Sequence, residues 1–176
     1  MKGPPIAVPQ ISVRNLQRTI AVDRAALEQF ARRALPLCAG QQAAPLEHHR
    51  RDVVKIDGAV ELDWLNQSSF DLRPGFGLTN LEEISVLLIS DRRMAELHRR
   101  FMQISGSTDV MTFQHGEIFI SVETARRQAK TYRSSLAQEL RLYLVHALLH
   151  LYGFDDRDPD ARRRMHAAQK RVLARA

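Results

Sequence analysis

The sequence predicts an α+β domain in which a small mixed four-stranded sheet is flanked by helices. Three observations carry that expectation. Short apolar or alternating runs with strand character recur along the chain, and helical periodicity fills the intervals between and after them. Two of the runs also sit on either side of a tight Gln114-His115-Gly116 connection, as the arms of a hairpin would.

Taken in order, Ile11–Asn15 alternates apolar and polar side chains and reads as the first strand. Asp23 is suited to cap a helix running through Ala34, with Ala26, Leu27, Phe30 and Ala31 on its inner face. From Pro36 to Asn80 the pattern dissolves into prolines, glycines and isolated apolar residues such as Trp64 and Phe70. So long a stretch without regular structure is uncommon inside a compact domain. Residues 36–80 are therefore read as a loop-rich insertion in a single domain spanning 1–176, partly ordered around Val53–Leu65. The adjacent His48 and His49 would point different ways on any regular element and are read as solvated surface. Cys38 is read as an isolated thiol in the same loop-like stretch.

Glu83–Ser90 restores regularity as a strand whose apolar run implies burial on both faces. A helix from Asp91 places Met94, Leu97 and Phe101 inward, and a small polar turn, Ser105-Gly106-Ser107, leads to the strand Asp109–Phe113. Glu117–Ser121 completes the hairpin. Helices follow from about Val122 to Tyr132, from Leu136, and from about Pro159 to Leu173, the last with Met165, Ala168 and Val172 inward.

The helix from Leu136 is the unusual one. Ser135 and Gln138 have the spacing of a capping box, and Gly153 is suited to the left-handed position that ends a helix. From Leu142 to Tyr152 its polar groups, the tyrosines aside, are His146 and His150. At i and i+4 their rings share one face. A neutral imidazole in aliphatic surroundings needs a donor and an acceptor partner, so a lone one is usually a satisfied core residue. Two in register, followed by a glycine turn and the carboxylates Asp155 and Asp156, point to a metal site on a buried helix, with His146, His150 and Asp156 as ligands.

Composition narrows the partners. The chain of 176 residues is 44% hydrophobic and 26% charged, ordinary for a soluble globular protein. One cysteine excludes an internal disulfide and zinc-finger spacing. No apolar run approaches a membrane span and the N-terminal residues show no secretory signal, so a cytoplasmic location without membrane partners is expected. The net charge of +6, mostly arginine, suits a polyanion. Arginine's planar fork gives phosphate two hydrogen bonds at once.

His146-x-x-x-His150-x-x-Gly153-x-Asp155, preceded by Ser107–Phe113, Gly116–Ser121 and Glu83–Asp91, resembles the YbeY family of metal-dependent endoribonucleases. The resemblance runs from about Glu83 to Leu173, with a first strand and helix at 11–34. It implies a zinc ion on the histidine helix and single-stranded ribosomal RNA in a basic groove. By the same resemblance, the function is single-strand-specific cleavage in ribosomal RNA maturation (3′ end processing of small-subunit RNA) and ribosome quality control, with the small ribosomal subunit as partner.

This chain departs from the family pattern at three positions. Asp156 stands where the family has a third histidine; it brings negative charge, which favours harder ions such as manganese or magnesium beside zinc. Met102 stands where the family has an arginine thought to act on the scissile phosphate, so Arg99 or Arg100 of the same helix is the candidate substitute. His98 replaces a usual asparagine. The catalytic candidates are thus His146, Arg99 and Arg100. Asp155 is either a partner orienting a ligand imidazole or a cap on its turn, and Thr108 and Asp109 are read as closing the turn into their strand. Two rival readings remain: a non-catalytic RNA- or ribosome-binding assembly factor, and a zinc metallopeptidase. The latter lacks a glutamate after the first histidine, where Ala147 stands.

Overall fold

The computed structural model describes residues 9–41 and 81–176. Its elements are β1 (Gln10–Asn15), α1 (Arg24–Ala39), β2 (Glu83–Ile89), α2 (Asp91–Met102), β3 (Val110–Thr112), β4 (Glu117–Ser121), α3 (Val122–Tyr132), α4 (Leu136–Leu151) and α5 (Pro159–Leu173). They form an α+β structure around a four-stranded mixed sheet of order β1-β2-β4-β3. β1 and β4 flank β2 in parallel, and β3 pairs antiparallel with β4.

Alternation along the strands divides the core between the two faces of the sheet. Ile84, Val86 and Leu88 of β2 and Ile118 and Ile120 of β4 join Ile11 and Val13 in the larger core, with α1, α4 and α5. The intervening Leu87 and Ile89 face the other way, packing with Met94 of α2 and Met111 of β3. The continuous apolar run of β2 is thereby explained: both of its faces are covered. Gly116 closes the β3–β4 hairpin against the start of β2 at φ 99°, where an added Cβ would stand 2.5 Å from the Glu83 carbonyl oxygen. Only glycine fits that approach.

Three expectations need correction. α1 does not stop at Ala34 but runs through Pro36 to Ala39. A proline inside a helix costs about 3 kcal/mol through its missing N–H and ring clash. Here Pro36 is exposed, while Leu35 and Cys38 on either side are buried in the main core. That burial carries the helix past the proline. Cys38 is therefore a core side chain in α1, not a loop thiol, and burial pushes its pKa up to about 12. Phe101, expected inward, is 39% exposed and packs edge-on against Phe113 at 5.2 Å. Residues 42–80, with His48, His49 and the Val53–Leu65 stretch, lie outside the described residues.

α4 is the element the rest surrounds, with α1, α3, α5 and the β3–β4 hairpin packed against it. Leu140, Leu144, Val145, Ala147, Leu148 and Leu149 are all but inaccessible, so nearly the whole circumference is apolar and buried. No helix among the described residues is long and apolar enough to cross a membrane.

Candidate metal centre

Both ends of α4 are built for accuracy. At its start, Ser135 accepts from the Gln138 backbone N–H while the Gln138 side chain accepts from the Ser135 N–H, the reciprocal capping box. At its end, Gly153 N–H bonds the His150 carbonyl and Phe154 N–H bonds the Leu149 carbonyl, with Gly153 at φ 85°. This is the Schellman arrangement, which requires a left-handed residue where the glycine stands. Phe154 is buried beyond it and fixes the path of the chain on to Asp155 and Asp156.

The turn delivers Asp156 back over the histidine face. His146 Nε2 and His150 Nε2 are 3.0 Å apart, and Asp156 places one carboxylate oxygen 3.8 Å from the first and the other 4.0 Å from the second. One ligand atom from each residue lies within 4.8 Å of the other two. In a tetrahedral site with bonds of about 2.0–2.1 Å, two nitrogen ligands stand roughly 3.3 Å apart, so the spacing suits one ion. The side chains are 24%, 30% and 40% exposed in the order His146, His150, Asp156, leaving an open side to the trio.

The protonation pattern fits a cation as well. His150 Nδ1 lies 2.9 Å from the Phe154 carbonyl oxygen. A carbonyl only accepts, so Nδ1 carries the proton, and in the neutral ring Nε2 is left with a lone pair directed at His146. Burial, and then the neighbouring His150, hold the His146 pKa below its usual value of 6.5, against opposing contributions from Asp156, Gln169 and Asp109. Two imidazoles with a carboxylate beside them are the kind of donor set that can hold a metal ion.

The family assignment follows from comparison. The family described as Endoribonuclease YbeY matches residues 48–176, most of the chain and all of this site. The chain belongs to the YbeY family. Curated relatives named Endoribonuclease YbeY include one from Salinispora tropica, 38% identical over 120 residues that make up 56% of this chain and 76% of that one. Another, from a Mycobacterium species (strain KMS), is 36% identical over 110 residues, 52% of this chain and 62% of its own. An Anaeromyxobacter protein is 40% identical over 104 residues, 53% and 54% of the respective chains. The chain thus spans between about half and three quarters of these relatives. A solution structure of a Thermotoga maritima protein shares the fold with a TM-score of 0.50 at 15% identity, covering 94% of this chain and 90% of that one.

Against the YbeY pattern, the other candidate residues sort as follows. Arg99 and Arg100 are exposed in the last turn of α2, Arg100 stacking over the Phe101 ring at 5.6 Å. α2 packs on β4 and α3, and no polar contact among the described residues links either arginine to the trio. Met102 ends α2 at 45% exposure. His98 bonds the Gly106 carbonyl at 2.9 Å and so holds the polar turn to α2. Asp155 accepts from the backbone N–H groups of Asp156 and Arg157 and from Arg157 Nε, so it caps its own turn. Asp109 accepts from Thr108 Oγ1 and from Val110 N–H, closing the turn into β3. The Phe154 carbonyl is the participant that sequence reasoning missed, because a backbone acceptor has no residue signature. A separate cavity lined by Val22, Leu27, Leu136 and Leu140 lies at the opposite end of α4 and takes no part.

Proposed function

We propose that this protein is a metal-dependent endoribonuclease acting on single-stranded ribosomal RNA. The observation that carries the reading is the convergence of two imidazole nitrogens and a carboxylate on one partly open point. His146, His150 and Asp156 would hold one zinc ion or, given the aspartate, a harder divalent ion. A cation held there supplies Lewis acidity for a phosphodiester and for the attacking water. The protein's own contributions are distinct. Phe154 orients His150, burial keeps His146 neutral and ready to ligate, and the exposed Arg99 and Arg100 hold RNA phosphates. The net charge of +6 favours association with a polyanion. The names of the relatives support RNA as substrate. From the family resemblance we further propose a cytoplasmic role in 3′ end maturation of small-subunit RNA and in ribosome quality control, with the small subunit as partner.

The test is metal analysis of the purified protein together with cleavage of single-stranded RNA, before and after chelation. Cleavage is expected to stop on chelation, to return with the divalent ion, and to be absent from His146→Ala. Cleavage that persists through both treatments would overturn the proposal.

Met102 favours a second reading. A methionine offers no charge to a scissile phosphate, so a non-catalytic RNA- or ribosome-binding factor that keeps its metal for folding is the alternative. RNA binding without cleavage by wild type, with cleavage gained in Met102→Arg combined with Asp156→His, is the result that would select it.

A further inference from the structure

The excess charge of the chain is gathered on α5. Residues 159–176 hold six arginine and lysine residues against one aspartate, so they carry +5 of the net charge of +6. Met165, Ala168, Gln169 and Val172 turn one side of the helix into the protein. The other side carries Arg163, Arg164, Lys170, Arg171 and Arg175, all exposed, with the small Ala167 and Ala174 between them. From Arg163 to Arg175 this track is about 18 Å long at the helical rise of 1.5 Å per residue. Arg163 pairs with Asp160, and Arg171 Nε donates to Gln41 Oε1 at 3.0 Å. Among the described residues, no carboxylate pairs with Arg164, Lys170, Arg171 or Arg175. On α1, by contrast, Glu28 bridges Arg24 and Arg32. Arg171 and Arg175 instead repel one another at i and i+4, a strain that a bound polyanion relieves.

We infer that this face of α5 is a docking track for the phosphate backbone of a paired RNA stem. The inference rests on the RNA reading above and not on the metal. Three observations choose the partner. A membrane-surface helix sinks its apolar face into the lipid, whereas Met165, Ala168 and Val172 of α5 are already buried in the core. A single strand is held by rings that stack its bases. No large apolar side chain is exposed on α5, and the exposed ring beside arginines is Phe101, at the end of α2. A paired stem instead offers phosphates in fixed rows that are read by shape. Arginine gives each phosphate two hydrogen bonds at once, and Ala167 and Ala174 let the backbone come close to the helix. The track also begins beside the metal centre. α5 starts three residues after Asp156, whose carbonyl accepts from Arg162 Nε at 3.2 Å. A stem on α5 thus brings the unpaired strand that continues from it near the site.

The experiment compares wild type with a variant that combines Arg163→Gln, Arg164→Gln, Lys170→Gln and Arg171→Gln. A control loses the same charge from exposed positions elsewhere, through Arg92→Gln, Arg93→Gln, Arg126→Gln and Lys130→Gln. Affinities for a blunt RNA hairpin stem, an unpaired strand of the same length, polyglutamate and phosphatidylserine vesicles are measured across a salt series. Urea unfolding is followed alongside. The α5 variant is expected to bind the stem at least about tenfold more weakly at low salt, with a slope of log affinity against log salt shallower by about 3–4, since each phosphate contact on a duplex contributes roughly 0.9. The unpaired strand should lose no more affinity in this variant than in the control. Stability should be unchanged or raised, because neighbouring like charges have gone. Equal loss of stem binding in the control, or equal loss for stem and unpaired strand in the α5 variant, would overturn the inference. So would tighter binding of wild type to polyglutamate or to vesicles than to the stem. Wild type that binds the stem but neither binds nor cuts an unpaired strand would sink the endoribonuclease reading and leave the track standing, and wild type that binds no RNA would sink both.

Discussion

The backbone carbonyl of Phe154 sits 2.9 Å from Nδ1 of His150, four residues before it, across the turn that Gly153 makes possible. One glycine therefore sets both the contact of the His150 ring and the position of Asp156, three residues further on. Gly153→Ala forces a left-handed conformation on a residue with a Cβ, at a cost of about 1–2 kcal/mol. Urea unfolding should show that loss, and zinc titration should show a weaker site, because relaxing the turn moves the Phe154 carbonyl and Asp156 together. Gly153→Asn, which tolerates this conformation better, should sit between the two. A Gly153→Ala variant with lowered stability and unchanged zinc affinity would uncouple the turn from the site.

Under the proposed metal reading, Asp156 is the residue expected to decide which ion is preferred. Its carboxylate oxygens are 3.8 and 4.0 Å from the two Nε2 atoms, within reach of a shared cation. Asp156→Ala should weaken zinc binding by more than the ~10–100-fold typical of losing an outer partner. Asp156→His should improve zinc relative to manganese by roughly tenfold or more, because imidazole suits zinc and a carboxylate suits harder ions. Competition titrations with the two ions check both. Unchanged selectivity in Asp156→His would mean that this side chain does not touch the ion.

The His146–His150–Asp156 cluster could be read from the sequence because α4 leaves so few alternatives. In a helix whose neighbours are leucine, valine and alanine, His146 and His150 stand out, and Gly153 marks where the chain must turn. The strands were similarly legible, since Ile84, Val86 and Leu88 alternate with Leu87 and Ile89 as the two cores require. Other features leave no local mark. Pro36 obeys a local rule that ends helices, and only the burial of Leu35 and Cys38 against distant elements reverses it. Gln169 in an amphipathic helix with many charges looks like surface until α5 is seen against α4. Phe101 has the spacing of a core residue, but α2 leaves its last turn at the edge of the sheet, where Phe113 covers only part of the ring.

Asp91 supplies a test of stability apart from the metal. It joins the starts of α2 and α3 by accepting from Thr124 Oγ1 at 2.8 Å, from Ser121 Oγ and from Arg127. Burial alone would raise its pKa, but the bonds from Ser121, Arg127 and Thr124 outweigh burial and hold it below its ordinary 3.8. A carboxylate with a depressed folded pKa stabilises above the unfolded value and loses that contribution as pH falls through the folded one. Asp91→Asn should therefore lose about 1–3 kcal/mol at pH 7. Its stability should also fall less steeply than that of wild type below pH 4. Parallel acid-unfolding curves for the two proteins would show that Asp91 is not a proton-linked support.

Cys38 offers a readout of the core. It is fully buried in α1, and burial raises its pKa to about 12, so almost no thiolate exists at neutral pH. The thiolate is the reactive form, so alkylating reagents should leave the native protein unmodified for as long as α1 stays packed. Modification should appear only in urea concentrations that unfold the chain. Rapid labelling of native protein at pH 7 would mean that α1 opens past Pro36, placing the helix end where the proline alone would put it.

Arg99 and Arg100 are the residues for which a solvated surface and a phosphate clamp make opposite predictions. Both are exposed at the end of α2, and the cationic Arg100 already lies over Phe101, an arrangement that also suits a stacked base. If each neutralises one phosphate, binding of single-stranded RNA weakens with salt, and each contact adds about 0.7 to the slope of log affinity against log salt. The double variant Arg99→Gln, Arg100→Gln should then bind more weakly at low salt, with a slope shallower by about 1.4. Anisotropy titrations of a labelled single strand across a salt series measure both quantities. Weaker binding with the same slope would point to lost packing around Phe101, because only released counterions change the slope. An unchanged affinity and slope would return both arginines to the solvated face and leave RNA recognition to other cations of the chain.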